Sequence, residues 1–151
     1  MNQSKLKIMQ IMHLAFCMAV MLFLLLAVFI TKDQLFFNAN PATTSPFNPI
    51  FPIMGLASLS FALIGFKKAM SAMDATINTD SKLTRYQTAF IIKMAFLEAG
   101  ALLNITVFFI THNLFFLVFA LISLVGLIIS RPTKEKIIES LNIQYPDTEN
   151  L

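Results

Sequence analysis

Residues Ala89–Thr111 read AFIIKMAFLEAGALLNITVFFIT, a long apolar run with Lys93, Glu98 and Asn104 set inside it. A helix that crosses a hydrocarbon core needs about 20 mostly apolar residues, within a range of roughly 17–25. Unpaired backbone groups are costly in lipid, so a run of this length and composition must be helical. Three more runs have bilayer length: Ile11–Ile30, Ile50–Phe66 and Leu114–Ser130. Between the last two spans lies only Thr111–His112–Asn113, so those helices must form an antiparallel hairpin. Composition agrees. Of 151 residues 57% are hydrophobic and 13% charged, against about 45–50% and 25% in soluble domains. So much apolar side chain cannot be enclosed by a globule of this size and must face lipid. A secreted disulfide scaffold, a disordered tail and an ordinary cytosolic enzyme are excluded. The expected fold is an all-α membrane protein with four transmembrane helices.

Charge placement sets the orientation. Lys5 and Lys7 precede the first span, Lys67, Lys68, Lys82 and Arg85 lie between the second and third, and Arg131, Lys134 and Lys136 follow the fourth. Lys32 stands alone on the other side. Basic residues stay in the cytoplasm, so both termini are expected inside. The first run exceeds the apolar core of a signal peptide, about 7–15 residues, and no small-x-small cleavage pattern follows it; it reads as an uncleaved anchor. The outer loop 31–49 is expected to lay Phe36, Phe37 and Phe47 against the headgroups. The inner connection 67–88 should prolong the second helix through Ala69–Ile77 and cap the third with Thr79, Asp80 or Ser81. After Pro132, Thr133–Leu141 reads as a short cytoplasmic helix. The chain divides into a membrane domain, 1–132, and a cytoplasmic tail, 133–151.

Polar residues inside the spans carry the functional expectations. From a boundary near Thr88, Glu98 lies about 15 Å deep, close to the midplane. Lys93, about 7.5 Å deep, can snorkel to the headgroups as an anchor. Ser58 and Ser123 sit near the midpoints of the second and fourth spans and are expected to meet Glu98 at one level. Gly55, Ser58, Ala62 and Gly65 form a small-residue stripe on the second span, and Ala95 and Ala99 a similar strip beside Glu98; such surfaces let helices approach closely. The expected core is the second helix against the third. Low dielectric favours the neutral form of a carboxyl, and intramembrane ionisable residues mark functional sites. Glu98 with Ser58 and Ser123 is therefore the candidate proton or cation site, weighed against a protonated carboxyl that only locks the bundle. Asn104, with Lys93, is read as interhelical polar contact. His13 and His112 lie at opposite membrane faces, which argues against a shared metal or haem, and each is expected at an interface. Cys17, the single cysteine, can form no internal disulfide and packs as a small apolar group.

No P-loop, Gly-x-Ser-x-Gly, Cys-x-x-Cys or His-Glu-x-x-His pattern occurs, so no catalytic residue, metal or cofactor is expected. The basic residues follow the membrane boundary and give no support to nucleic-acid binding. The stretch Arg85-Tyr86-Gln87 through Leu97-Glu98-Ala99-Gly100 to Asn104, ending in Arg131-Pro132-Thr133-Lys134, resembles an uncharacterised family of small four-span bacterial proteins. That resemblance implies a bacterial inner-membrane address and no particular activity. Glu98-Ala99 is also similar to the ion-binding helix of proteolipid subunits of rotary ATPases, although the Gly-rich partner helix of those subunits is missing here. Four spans in a chain of this length are similar to the membrane-bound glutathione-transferase superfamily, whose basic pattern is not matched because the second and fourth spans hold no interior Arg or Lys. The expected partners are the lipid bilayer and a second copy or another membrane protein. Function is expected to run through helix packing, with an oligomeric proton- or cation-coupled carrier using Glu98 as the alternative.

Overall fold

The structure, a computed structural model, describes residues 2–73 and 77–142. Its helices are α1 (Asn2–Thr31), the single turn α2 (Pro41–Thr44), α3 (Ile50–Ser71), α4 (Thr79–Thr111), α5 (Leu114–Ile129) and α6 (Lys134–Leu141), with a 3-10 turn over Lys32–Gln34. Among the described residues there is no strand, only an isolated bridge between Phe36 and Asn113. α1, α3 and α4 are each long and apolar enough to cross a membrane; α5 counts as a fourth when taken with α6, from which it is bent by 86°. Large apolar side chains point outward all round, Phe29 being 70% and Ile64 67% exposed. A water-soluble monomer rarely tolerates so much contiguous apolar surface; a bilayer requires it.

α4 is the axis of the bundle. It packs against α3, α5, α1 and α6, whereas α1 and α3 flank it with little contact of their own. The expected core of second helix against third is thus one side of a wider core that also holds α5 and α1. Phe90, Met94, Leu97 and Phe108 of α4 are fully enclosed, as is Phe116 of α5.

Hydrogen bonds tie the two ends differently. At the basic end, Lys5 Nζ pairs with Asp80 Oδ1 at 2.7 Å, Gln10 donates to the Pro132 carbonyl at 3.3 Å, and Lys136 Nζ closes the end of α5 on the Ile129 carbonyl at 2.9 Å. At the opposite end, across the α4–α5 turn, Phe36 N–H donates to the His112 carbonyl at 3.3 Å and Leu114 N–H donates to the Phe36 carbonyl at 2.9 Å. There Asn113 Nδ2 donates to the Asn38 carbonyl at 2.7 Å, and Asn38 N–H returns a bond to Asn113 Oδ1 at 3.0 Å. His112 closes that turn in the left-handed region at φ 58°.

Two boundary expectations are corrected. The cap of α4 is Asn78, not Thr79, Asp80 or Ser81: its extended backbone lets Oδ1 accept from Ser81 N–H at 2.8 Å, the geometry a cap needs. The expected prolongation of the second helix to Ile77 stops at Ser71, where the Ala72 N–H closes the helix on the Lys68 carbonyl; residues 74–76 lie outside the described residues. The short helix after Pro132 forms as α6, capped by Thr133, with Ile137 and Leu141 buried; residues 143–151 of the tail lie outside the described residues.

Candidate functional site

The seam between α3, α4 and α5 is built from small and polar residues. Gly55, Ser58 and Ala62 of α3 are buried toward α4. A Cβ at Gly55 would lie 2.6 Å from Asn104 Nδ2, and one at Gly100 would lie 3.1 Å from both Ser58 Oγ and Ser123 Oγ. Side chains here are replaced by close backbone approach, the usual device of helix contacts in lipid. Asn104 is wholly buried and its Nδ2 donates to the Gly100 carbonyl at 3.0 Å and the Phe51 carbonyl at 3.2 Å. Ser58 Oγ donates to the Phe96 carbonyl. Asn104 therefore joins α4 to α3 by a hydrogen bond that lipid cannot replace. Asn104 Oδ1 and Ser123 Oγ are buried with no partner among the described residues.

Ser58 and Ser123 thus come together across Gly100. Glu98 does not join them. Two residues before Gly100, it is turned about 200° around α4, and it has no hydrogen bond or ion pair among the described residues. The two serines meet on one face of α4, and Glu98 lies on another.

The opposite side of α4 is open. Thr88, Ala95, Ala99 and Thr106 are all exposed and fall within about 40° of one another around the helix. Ala95 and Ala99, read as a strip for close helix approach, are left exposed. Glu98 lies about 80° from the centre of that arc and is half-buried. The small-residue stripe of α3 also divides: Gly55, Ser58 and Ala62 are used, while nothing lies within 4 Å of where a Gly65 Cβ would stand.

Lys93 does not simply reach for the headgroups. Its Nζ sits 4.9 Å from the centre of the Phe66 ring, which packs edge-on against Tyr86. An ammonium over a ring face is attracted by the ring quadrupole, so α3 and α4 are joined there by a polar contact. His13 is buried against α5: its Nε2 donates to the Leu127 carbonyl at 2.9 Å, with Cys17 Sγ 3.7 Å from the same nitrogen. The Leu127 carbonyl, near the end of α5, also accepts from Ser130 N–H at 3.1 Å, and the sequence signal, Gln10, His13 and Cys17 on one face of α1, is visible only once α5 is set beside it. Cys17 is half-buried and free. His112 serves as the closing residue of α4.

Gly100 and Gly126, outside the stripe read on α3, were the missed signal. Of four in the chain, Gly55, Gly100 and Gly126 all mark helix crossings, the last facing Leu97 and Leu59. Among the described residues no group of three or more His, Cys, Asp or Glu side chains is gathered to hold a metal. No protein-family model matches the chain, and no curated protein or solved structure is detectably similar to it.

Proposed function

We propose that this chain is a multi-pass protein of the bacterial inner membrane, with four spans and both termini cytoplasmic, that works by receiving a second membrane helix on the open arc of α4. The orientation rests on the basic residues collected at one end of the bundle. The docking rests on one observation: Glu98, in the middle of the long apolar helix α4, has no hydrogen bond or ion pair among the described residues. A polar group held in lipid without a hydrogen bond is costly, and intramembrane carboxyls face bundle interiors or partners. The exposed Ala95 and Ala99 beside it permit the close approach that helix association in lipid requires. The first occupant to test is a second copy of this chain, since a twofold pair makes one patch serve both surfaces. Single-molecule photobleaching of the labelled protein in lipid vesicles reads this directly. Two-step traces are expected for the native chain and mainly one-step traces for Ala99→Leu. One-step traces from the native chain, together with no cross-linked partner in native membranes, would remove the proposal.

The second reading is an oligomeric proton- or cation-coupled carrier using Glu98. The same unpartnered carboxyl favours it, but Ser58 and Ser123 face away, so such a carrier must assemble its site between copies. Glu98→Gln in liposomes separates the two: coupled flux lost favours the carrier, and an unchanged oligomer with no flux in either form favours docking alone.

A further inference from the structure

Near the basic end, α3 and α4 part to leave a groove of about 540 Å³. It exists because its walls are small: Ala62, Gly65 and Ala69 on α3 face Ala89 on α4, between the rings of Phe61 and Phe96. No atom lies within 4 Å of a Gly65 Cβ position, so the groove is open at its middle. Its lining is almost wholly apolar apart from Thr84, Thr88 and two cations, Arg85 and Lys93. Among the described residues no carboxylate lines it, and neither cation has an ion-pair partner; the single pair there joins Lys5 to Asp80. Thr84 and Thr88 spend their hydroxyl protons on the carbonyls one turn back, which leaves the two cations as the charge-bearing donors of the groove. Lys93 Nζ lies at the groove wall, 4.9 Å from the centre of the Phe66 ring.

The neighbouring groove on the other side of α3 differs in the respect that matters. It shares Phe66 and Lys93, adds Lys136, and is also lined by Glu139, so it supplies its own counter-charge. Among the described residues the first groove supplies none. Its occupant must be apolar along most of its length and anionic at one end.

We propose that the groove between α3 and α4 binds one anionic phospholipid, an acyl chain lying along Ala62, Gly65 and Ala69 and the phosphate held by Arg85 and Lys93. Arg85 and Lys93 are separated by about 12 Å along α4, so the guanidinium meets the phosphate from the headgroup side and the ammonium from below. The fork of a guanidinium suits phosphate oxygens, and basic residues at this level of a membrane protein are the usual recognition chemistry for anionic headgroups.

Native mass spectrometry of the full chain tests this, with the protein released from micelles that carry equal amounts of phosphatidylglycerol and phosphatidylcholine. The native chain should retain one phosphatidylglycerol on the order of tenfold more often than phosphatidylcholine, from two cations near the phosphate. The pair Arg85→Gln with Lys93→Gln should bring the two lipids to parity. Gly65→Leu, which enters open space and leaves the fold intact, should lower phosphatidylglycerol retention several-fold with both cations still present. Lys7→Gln with Arg131→Gln, at the separate basic groove between α1 and α5, should change nothing, and added inorganic phosphate should not displace the lipid. Equal retention by the native chain would overturn the proposal. So would a preference that survives both the double substitution and Gly65→Leu, one that disappears with Lys7 and Arg131, or displacement by free phosphate.

Discussion

The two faces of α4 use the same materials for opposite ends. On the inward face Gly100 and Asn104 are wholly enclosed, one giving room to Ser58 and Ser123 and the other joining α4 to α3. On the outward face Ala95, Ala99 and Thr106 are likewise small and lie on the same stretch of the helix, yet they are left exposed. Hydropathy does not separate these faces, because in lipid the drive to associate comes from close packing and polar contact and not from water. What separates them is whether another helix of the chain is near enough to use them. α3 and α5 converge on one side, while α1 and α3 leave the other uncovered.

The contrast predicts graded effects. Gly55→Leu should destabilise the folded chain most, by about 3 kcal/mol in a reversible detergent-denaturation assay, because even its first carbon would lie 2.6 Å from Asn104. Gly65→Ala on the same helix should be neutral or stabilise by up to about 1 kcal/mol, since it enters open space and favours the helix. Equal losses at the two positions would break the distinction between used and unused small residues. Asn104→Leu should cost about 1–2 kcal/mol in the same assay, whereas Ser123→Ala, which removes a hydroxyl without a partner, should change stability by less than about 0.5 kcal/mol. Ala99→Leu should leave the stability of the single chain within about 0.5 kcal/mol and act only on association.

The smallest effect concerns α6. Hydrogen bonds from the backbone and the Thr133 hydroxyl hold the Glu135 carboxyl below its ordinary value. A group with a lowered folded value contributes stability above its unfolded value, about 4.3 for Glu, and loses it as pH falls through the folded one. Docking of α6, followed by hydrogen exchange at Ile137, should weaken slightly below that range and not near neutrality. Weakening centred near pH 6 would point to another group.

Much of the fold was legible in the sequence. Four apolar runs each became a helix, and the three-residue turn at 111–113 enforced the α4–α5 hairpin. The start of α4 was misread because Asn78, Thr79, Asp80 and Ser81 are all good caps, and only backbone geometry selects among them. The site was less legible. Depth along a helix follows from counting residues, which is how Ser58, Glu98 and Ser123 were assigned one level. Direction around the bundle depends on which helices neighbour α4, and no count along one chain supplies that. For the same reason the stripe on α3 read as uniform although Gly65 is open, and the contact of His13 with α5 was not legible.

The central claim is that the open arc of α4 receives a second helix. It is tested most directly by oxidative cross-linking of single cysteines in native membranes, in a Cys17→Ser background. Ala99→Cys should form a dimer, or a defined adduct with one other membrane protein, while Ser123→Cys, buried at the same depth on α5, should form none. Equal cross-linking at the two positions, or none at Ala99 in a chain shown to be folded, would contradict the account.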